Sequence, residues 1–458
     1  MVKLNYLNNT LIFKKAISPL IATILLIVVA VAIIAIIIGW GKGFTNSSLA
    51  NVSTVPIYTE SETSFYVNLS NGINGRFQVT YNPPKDSPYQ IFTITGYGLL
   101  SDLNNIVPIE PPLVITAGNT TNLDFGLLSD RLDLVLYLSN NRMIIKENLK
   151  QNIKQPISCP SGYIPVPGNH LYNTMNENGG FCVSKYELKM DVNGDGLGDL
   201  VSNYLDCNTG SLTYNTYSYQ TCPTPGTLVS TKEGSPVANI TQTEAIAACT
   251  AIGGHLITNN EWMTIVRNLE MVPSNWSDGV IGSGYLPRGN SSSSGAMEAI
   301  DPLSGLIKRT LILSNGEVIW DLAGNAWEWT SDTIQRKDMP DGLNNSNDDA
   351  NNSGWDNFDY SKNGGVTKYL DSDNLGNTTL TYKDLFLFTN NNYNANNNGV
   401  GRIYSYSDRN DTSTSVYAFL RGGTWTTGAF AGVLTLTLNL TPGTRTTSTS
   451  ALAACSNF

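Results

Sequence analysis

The sequence predicts an α+β protein in three parts: an apolar N-terminal helix, a small all-β domain and a larger mixed C-terminal domain. Three observations carry this. Residues 17–40 run without a charge. Between residues 55 and 150, short apolar–polar alternations recur between Pro and Gly breaks, the period of strands. Beyond residue 157, helical and strand-like stretches mix. In the tail, Leu434, Leu436, Leu438 and Leu440 alternate with Thr435, Thr437, Asn439 and Thr441.

Composition sets the limits. A chain of 458 residues can bury two or three cores. Charged residues are 14% and the net charge is −10, with no basic block to follow a phosphate backbone, so nucleic acid is excluded as a partner. Asn, Ser, Thr and Gly are abundant, which suits an extracellular surface. Sequons recur at Asn51, Asn68, Asn119, Asn239, Asn275, Asn377 and Asn439, although a chain this rich in Asn and Thr also makes them by chance. The six cysteines, Cys159, Cys182, Cys207, Cys222, Cys249 and Cys455, suggest three bridges. The expected pairs are Cys159–Cys182, Cys207–Cys222 and Cys249–Cys455, the last pinning the tail to the core. No CxxC occurs and His170 and His255 are the only histidines, so a zinc site of several such ligands is not supported.

Residues 1–16 are polar and end in Lys14-Lys15-Ala16. The apolar run from Ile17 to Trp40 would span about 36 Å as a helix, enough for a bilayer core of about 30 Å. Pro19 falls in the first turn, where its missing N–H costs little. The junction Lys-Lys-Ala/Ile-Ser-Pro resembles the class III leader of archaeal type IV pilins. That resemblance implies cleavage between Ala16 and Ile17 and a helix, residues 17–44, that bundles into a filament. Hydropathy alone fits a single-pass membrane anchor equally well.

After a Ser/Asn/Thr stalk from Thr45 to Ser53 come the strands of the small domain (residues 45–150). Phe65–Leu69, Phe77–Tyr81, Ile91–Ile94 and Leu132–Leu138 are the clearest, and Asn140-Asn141 is a hairpin turn before Met143-Ile144-Ile145. A small β-sandwich is expected, acting as a spacer or as a filament's outer layer.

The C-terminal domain (residues 157–458) opens at Cys159-Pro160-Ser161-Gly162-Tyr163 and continues to Phe181-Cys182-Val183-Ser184-Lys185-Tyr186-Glu187. A helix from Thr243 to Ala251 leads to Gly253-Gly254-His255-Leu256, and Asn259-Asn260-Glu261-Trp262 begins another. Then come Gly324-Asn325-Ala326-Trp327-Glu328-Trp329 and Arg421-Gly422-Gly423-Thr424-Trp425. In this order the motifs resemble a C-type lectin-like fold of the formylglycine-generating-enzyme (sulfatase-modifying) type. The tail, residues 420–455, resembles the variable region of diversity-generating retroelement target proteins. There a fixed frame of Gly, Trp and Leu alternates with positions rewritten at adenines to form a ligand-binding surface. Matched residue by residue, the rewritten positions are Thr424, Thr426, Thr427, Phe430, Thr437, Asn439, Leu440, Thr444, Arg445 and Thr446. The polar members are expected to face away from the core, with Trp425, Leu436 and Leu438 buried. The family closes on Gly-Phe-Arg-Cys, whereas this chain reads Ala451-Leu452-Ala453-Ala454-Cys455.

Asp191, Asn193, Asp195, Leu197 (through its carbonyl) and Asp199 occupy positions 1, 3, 5, 7 and 9 of an EF-hand-like loop, with Gly196 at position 6. Hard oxygens on a curled loop suit Ca2+, although Ser202 replaces the bidentate Glu at position 12. Asp338–Gly365 and Asn390–Asn398 read as surface insertions rather than core.

Three functions compete. The first is a cell-surface or pilus-associated ligand-binding protein of adhesin or receptor type, its partner a protein or glycan on another cell or virus. The second is a structural pilin subunit with a decorated head, forming a homo-oligomeric filament. The third is a formylglycine-generating-type oxidase, which needs paired active-site thiols, whereas the late region holds only Cys455. Glu328 and His255 read as packing and hydrogen-bonding residues, so no enzyme is expected. The calcium-dependent sugar triplet Glu-Pro-Asn does not occur.

Overall fold

The computed structural model describes residues 66–70, 72–156, 158–191, 193–198, 204–206, 211–213, 228–234, 236–237, 240–291, 308–340, 354–357, 378–385, 399–405, 412–444, 450–451 and 455–457. The leader junction Ala16/Ile17 and the apolar helix 17–44 lie outside the described residues, among which no helix is long and apolar enough to cross a membrane. The described chain is mostly β.

The N-terminal strands are β1 (Val67–Leu69), β2 (Gly72–Ile73), β3 (Arg76–Tyr81), β4 (Ile91–Leu99), β5 (Asp102–Thr116), β6 (Thr120–Asp124), β7 (Arg131–Leu138) and β8 (Met143–Asn152). Alternation decides their faces. On β3, Phe77, Val79 and Tyr81 are buried, while Gln78 and Thr80 point out. The β7–β8 hairpin turns at Asn140-Asn141, with Asn141 left-handed at φ 59°.

The expected sandwich is corrected in one respect. The strands form a single curled sheet in the order β1-β3-β2-β8-β7-β4-β5, with β6 on the other edge of β3. The cause is the length of β8. Ten residues pair first with β7 and then, at Gln151 and Asn152, with Gly72 and Ile73 in parallel, joining what would be two sheets. Gly72 permits this turn of the sheet, because a Cβ there would meet the Phe77 ring at 2.5 Å.

Buried amides tie this sheet to the C-terminal part of the chain. Asn74 donates through Nδ2 to the carbonyls of Lys154 at 2.6 Å and Gly168 at 2.8 Å, and accepts from Lys154 N at 2.7 Å. Asn169 donates back to Gly126 O at 2.8 Å. Fully buried amides with satisfied partners fix orientation, since each unmade bond would leave a desolvated group.

In the C-terminal part, β9 (Tyr163–Pro167) and β10 (Gly180–Ser184) form a hairpin bridged by Cys159–Cys182, Cα–Cα 5.7 Å. With β15 (His255–Leu256) and β24 (Cys455–Asn457) they make the sheet β15-β24-β10-β9. Two-stranded pairs join β11 (Lys189–Met190) to β14 (Leu228–Val229), β12 (Tyr204–Asp206) to β13 (Ser211–Thr213), and β16 (Thr310–Ile312) to β17 (Val318–Trp320). The largest sheet runs β19-β20-β22-β21-β18-β23, from β18 (Trp327–Gln335), β19 (Gly354–Asn357), β20 (Arg402–Ser405), β21 (Val416–Arg421), β22 (Leu436–Leu440) and β23 (Ser450–Ala451). Strand β19 lies within the expected insertion Asp338–Gly365 and pairs with β20 at the edge of this sheet.

Helices α1 (Gln242–Ala251) and α2 (Asn259–Glu270) each begin on a capping box, Thr241 with Glu244 and Thr258 with Glu261. Nearly all of α2 is buried, and Trp262 donates through Nε1 to Val433 O at 2.8 Å. Its inner Arg267 pairs with Glu270 at 3.1 Å and donates to the Tyr172 hydroxyl at 2.8 Å. A short helix, α3 (Tyr382–Leu385), packs against α2.

Candidate functional site

The site is the turn after β21. Arg421 ends that strand fully buried, its guanidinium donating to Asn259 Oδ1, to Leu434 O at 3.0 Å and to Asp384 O at 2.9 Å. Burial lowers its pKa to about 9, so three acceptors on three segments hold a cation that water has left. Gly422 and Gly423 come next at φ 84° and 90°. A side chain at Gly423 would also press on Ala431 at 2.9 Å, so glycine is needed there twice over.

The two left-handed residues reverse the expected exposures. Thr424 is 0% exposed and Trp425 is 43% exposed, the opposite of the reading that put Thr424 outside and Trp425 in the core. The strand period does not continue through a turn. Inside it, Thr424 N donates to Thr427 Oγ1 at 2.7 Å and Thr426 N to Thr424 Oγ1 at 3.2 Å. The Thr424 hydroxyl bonds those of Thr426 at 3.0 Å and Thr427 at 2.9 Å. They spend their hydrogen bonds on the turn itself, which leaves the indole as its largest outward group.

Thr437 is corrected likewise. At 3% exposure it is buried, on the same covered face as its cross-strand partner Leu420. Its hydroxyl donates to Asn439 Oδ1 at 2.8 Å. Of the other expected positions, Thr426 is exposed and Thr427, Phe430, Asn439, Leu440 and Thr444 are half-buried. Arg445 and Thr446 lie outside the described residues. Arg402 of β20 stacks its guanidinium 4.2 Å from the Phe430 ring centroid, a cation–π contact.

Beneath the turn lies a group of acids that sequence reasoning did not assemble. Trp425 N donates to Asn325 O at 3.0 Å. Asn325 is left-handed at φ 63°, and its amide donates to Glu187 Oε2 while Ala326 N donates to Glu187 Oε1 at 3.2 Å. Burial pushes the Glu187 carboxyl up to about 8, and Asp321 nearby adds to the rise. Asp321 is also raised by burial although Arg309 grips it at 2.5 and 2.6 Å. Glu328 is raised well above its ordinary value, first by burial and then by Glu187 and Asp321. Glu187 is 138 residues from Asn325 and no local pattern links them; the left-handed turn signal Gly324-Asn325 was the one available clue.

In the acidic loop, Asp191 accepts from Gly194 N at 2.7 Å, Asp195 N at 3.2 Å and Gly196 N at 2.9 Å. Asn193 Oδ1 accepts from Asp195 N at 2.9 Å, and Asp195 Oδ1 from Leu197 N at 2.8 Å. These bonds curl the loop around the Asp191 carboxylate. Asp199 lies outside the described residues, among which no cluster of three acidic, His or Cys side chains is close enough to hold a metal.

Cys249 is disulfide-bonded, with its partner outside the described side chains; Cys207 and Cys222 are outside them too. His255 and Glu261 share a hydrogen bond at 2.9 Å, which raises the imidazole pKa and leaves Glu261 in its capping box.

No protein-family model and no curated protein matches the chain. Solved structures similar to it include three Major Tropism Determinant variants. The P3c variant is 12% identical with a TM-score of 0.27, covering 87% of this chain and 85% of that one. The I1 variant is 13% identical with a TM-score of 0.26 and the same coverage. The M1 variant is 13% identical with a TM-score of 0.26, covering 87% and 84%.

Proposed function

We propose that the chain is a non-enzymatic, adhesin- or receptor-like binding protein whose ligand surface is the Thr424–Phe430 turn with its neighbours. The observation that carries this is the exposed indole of Trp425 on a turn whose backbone is fixed to Asn325 and Ser291. An aromatic anchor on a rigid base loses little entropy when it is covered, which is the character of a binding hot spot. Thr426, Phe430 and Asn439 then tune specificity around the anchor.

The finer features of the proposal rest on the sequence. Retroelement rewriting would vary Thr426, Thr427, Phe430, Asn439, Leu440 and Thr444 on the outer side of the tail, with Thr424 and Thr437 acting from beneath, and would extend to Arg445 and Thr446. The partner is a protein or glycan on another cell or virus. Residues 17–44 hold the molecule at the cell surface, in the membrane or in a filament, and calcium braces the Asp191 loop.

The test is capture from arrayed glycans and cell-surface proteins by the intact chain and by Trp425→Ala. Partners retained by the first and lost by the second are expected. Equal capture by both would overturn the assignment of the surface.

A further inference from the structure

Four Asn-X-Ser/Thr sequons lie wholly on described residues, and the fold sorts them sharply. Asn275 is 1% exposed, its Nδ2 donating to Leu269 O at 2.8 Å and Ile312 O at 2.7 Å. That nitrogen is unreachable. Asn439 is half-buried, with its Oδ1 taken by Thr437. Asn68 and Asn119 are both exposed, and neither amide makes a side-chain hydrogen bond among the described residues.

These two also share one neighbourhood. Asn68 sits on edge strand β1 opposite Thr80, and Thr80 sits opposite Thr120 of edge strand β6. Paired residues face the same way, so Asn68, Thr80 and Thr120 form a row on the outer face about 10 Å long. The Thr80 and Thr120 hydroxyls, 2.8 Å apart, floor the row with neutral polar groups. Asn119 comes after Gly118, which is left-handed at φ 80° with open space around its Cβ position.

We propose that Asn68 and Asn119 are sites of N-linked glycosylation, a reading that rests on exposure of the chain outside the cell. In the transfer, Nδ2 forms a bond to the anomeric carbon of a lipid-diphosphate-linked oligosaccharide. The bond from that carbon to the phosphate oxygen breaks, the lipid diphosphate leaves, and one amide proton is released. Nothing is oxidised or reduced. The glycan on Asn68 stands on the polar outer face and that on Asn119 in the exposed turn before β6, both at edges of the sheet, where added bulk displaces no core contact and blocks pairing of open edges with another chain.

The test is glycopeptide mass spectrometry on the full chain isolated from its own cells. Sugar is expected on the Asn68 and Asn119 peptides and none on the Asn275 peptide. Asn68→Gln and Asn119→Gln should each lose the matching mass with the melting temperature unchanged. Bare Asn68 and Asn119 overturn the proposal. If sugar is found on other sequons in that case, export stands while this assignment falls; ligand capture through Trp425 is scored independently of either result.

Discussion

The backbone N–H of Trp425 donates to the carbonyl of Asn325 at 3.0 Å, so the exposed turn of the tail rests on a second turn about 100 residues earlier. Asn325 in turn is held by Glu187 and by Asn290, whose Nδ2 donates to its side-chain oxygen at 3.1 Å. The surface is therefore an outcrop of a buried polar network.

Asn325→Ala should be costly, because it loses two amide bonds and places a Cβ residue without that compensation at φ 63°. A loss of about 2–4 kcal/mol in urea unfolding is expected. Asn325→Gly should recover about 1 kcal/mol of that by relieving the backbone. Equal losses would mean that the left-handed backbone contributes nothing.

Stability should fall as pH rises. Glu187 titrates at about 8 in the fold against 4.5 ordinarily, so across that window the folded state keeps a proton that the unfolded chain has released. Its contribution is fully present below about 4.5 and lost as pH climbs to about 8. Lys189 and Arg309 oppose the shift, and Asp321 and Glu328 titrate upward beside it. Glu187→Gln should flatten the melting-temperature profile between pH 5 and 8; an unaltered slope would acquit Glu187.

Calcium should stabilise the Asp191 loop. With free calcium a hundredfold above its dissociation constant, the gain is about 2.7 kcal/mol. Melting in chelator against millimolar calcium checks it, with Asp195→Ala removing any difference. Identical melting curves for the unaltered chain would dismiss the cation.

Cys249 on α1 should be joined to Cys455. Leu256 of β15 pairs with Cys455 of β24, and α1 leads directly into β15, so the backbone brings the two cysteines into one neighbourhood. Non-reducing peptide mapping should recover that pair, and Cys249 linked elsewhere would leave the tail without its pin.

Much of this architecture was legible locally. The strand period placed β3, β4, β7 and β8, and Asn140-Asn141 placed the hairpin between the last two. Helix α1 was legible as the apolar stretch Thr243–Ala251, and the start of α2 at Asn259-Asn260-Glu261-Trp262. Reading failed where the determinant was distant or conformational. Gly422 and Gly423, both left-handed, end β21 and exchange the inner and outer roles of Thr424 and Trp425. Thr437 alternates as a surface strand residue would, yet the face it shares with Leu420 is covered. Alternation reports that a strand has two faces, not that one of them is wet. Glu187, Asp321 and Glu328 meet only in three dimensions.

The most direct test of the binding surface sets Trp425 against its buried neighbours in paired measurements of melting temperature and partner affinity. Trp425→Ala should cost at least about 2 kcal/mol of binding, roughly 30-fold, while melting within a degree or two of the unaltered protein. Leu438→Ala should cost about 2–5 kcal/mol of stability as a cavity mutation. The account is contradicted if Trp425→Ala melts as low as Leu438→Ala, or if it binds every captured partner as tightly as the original chain.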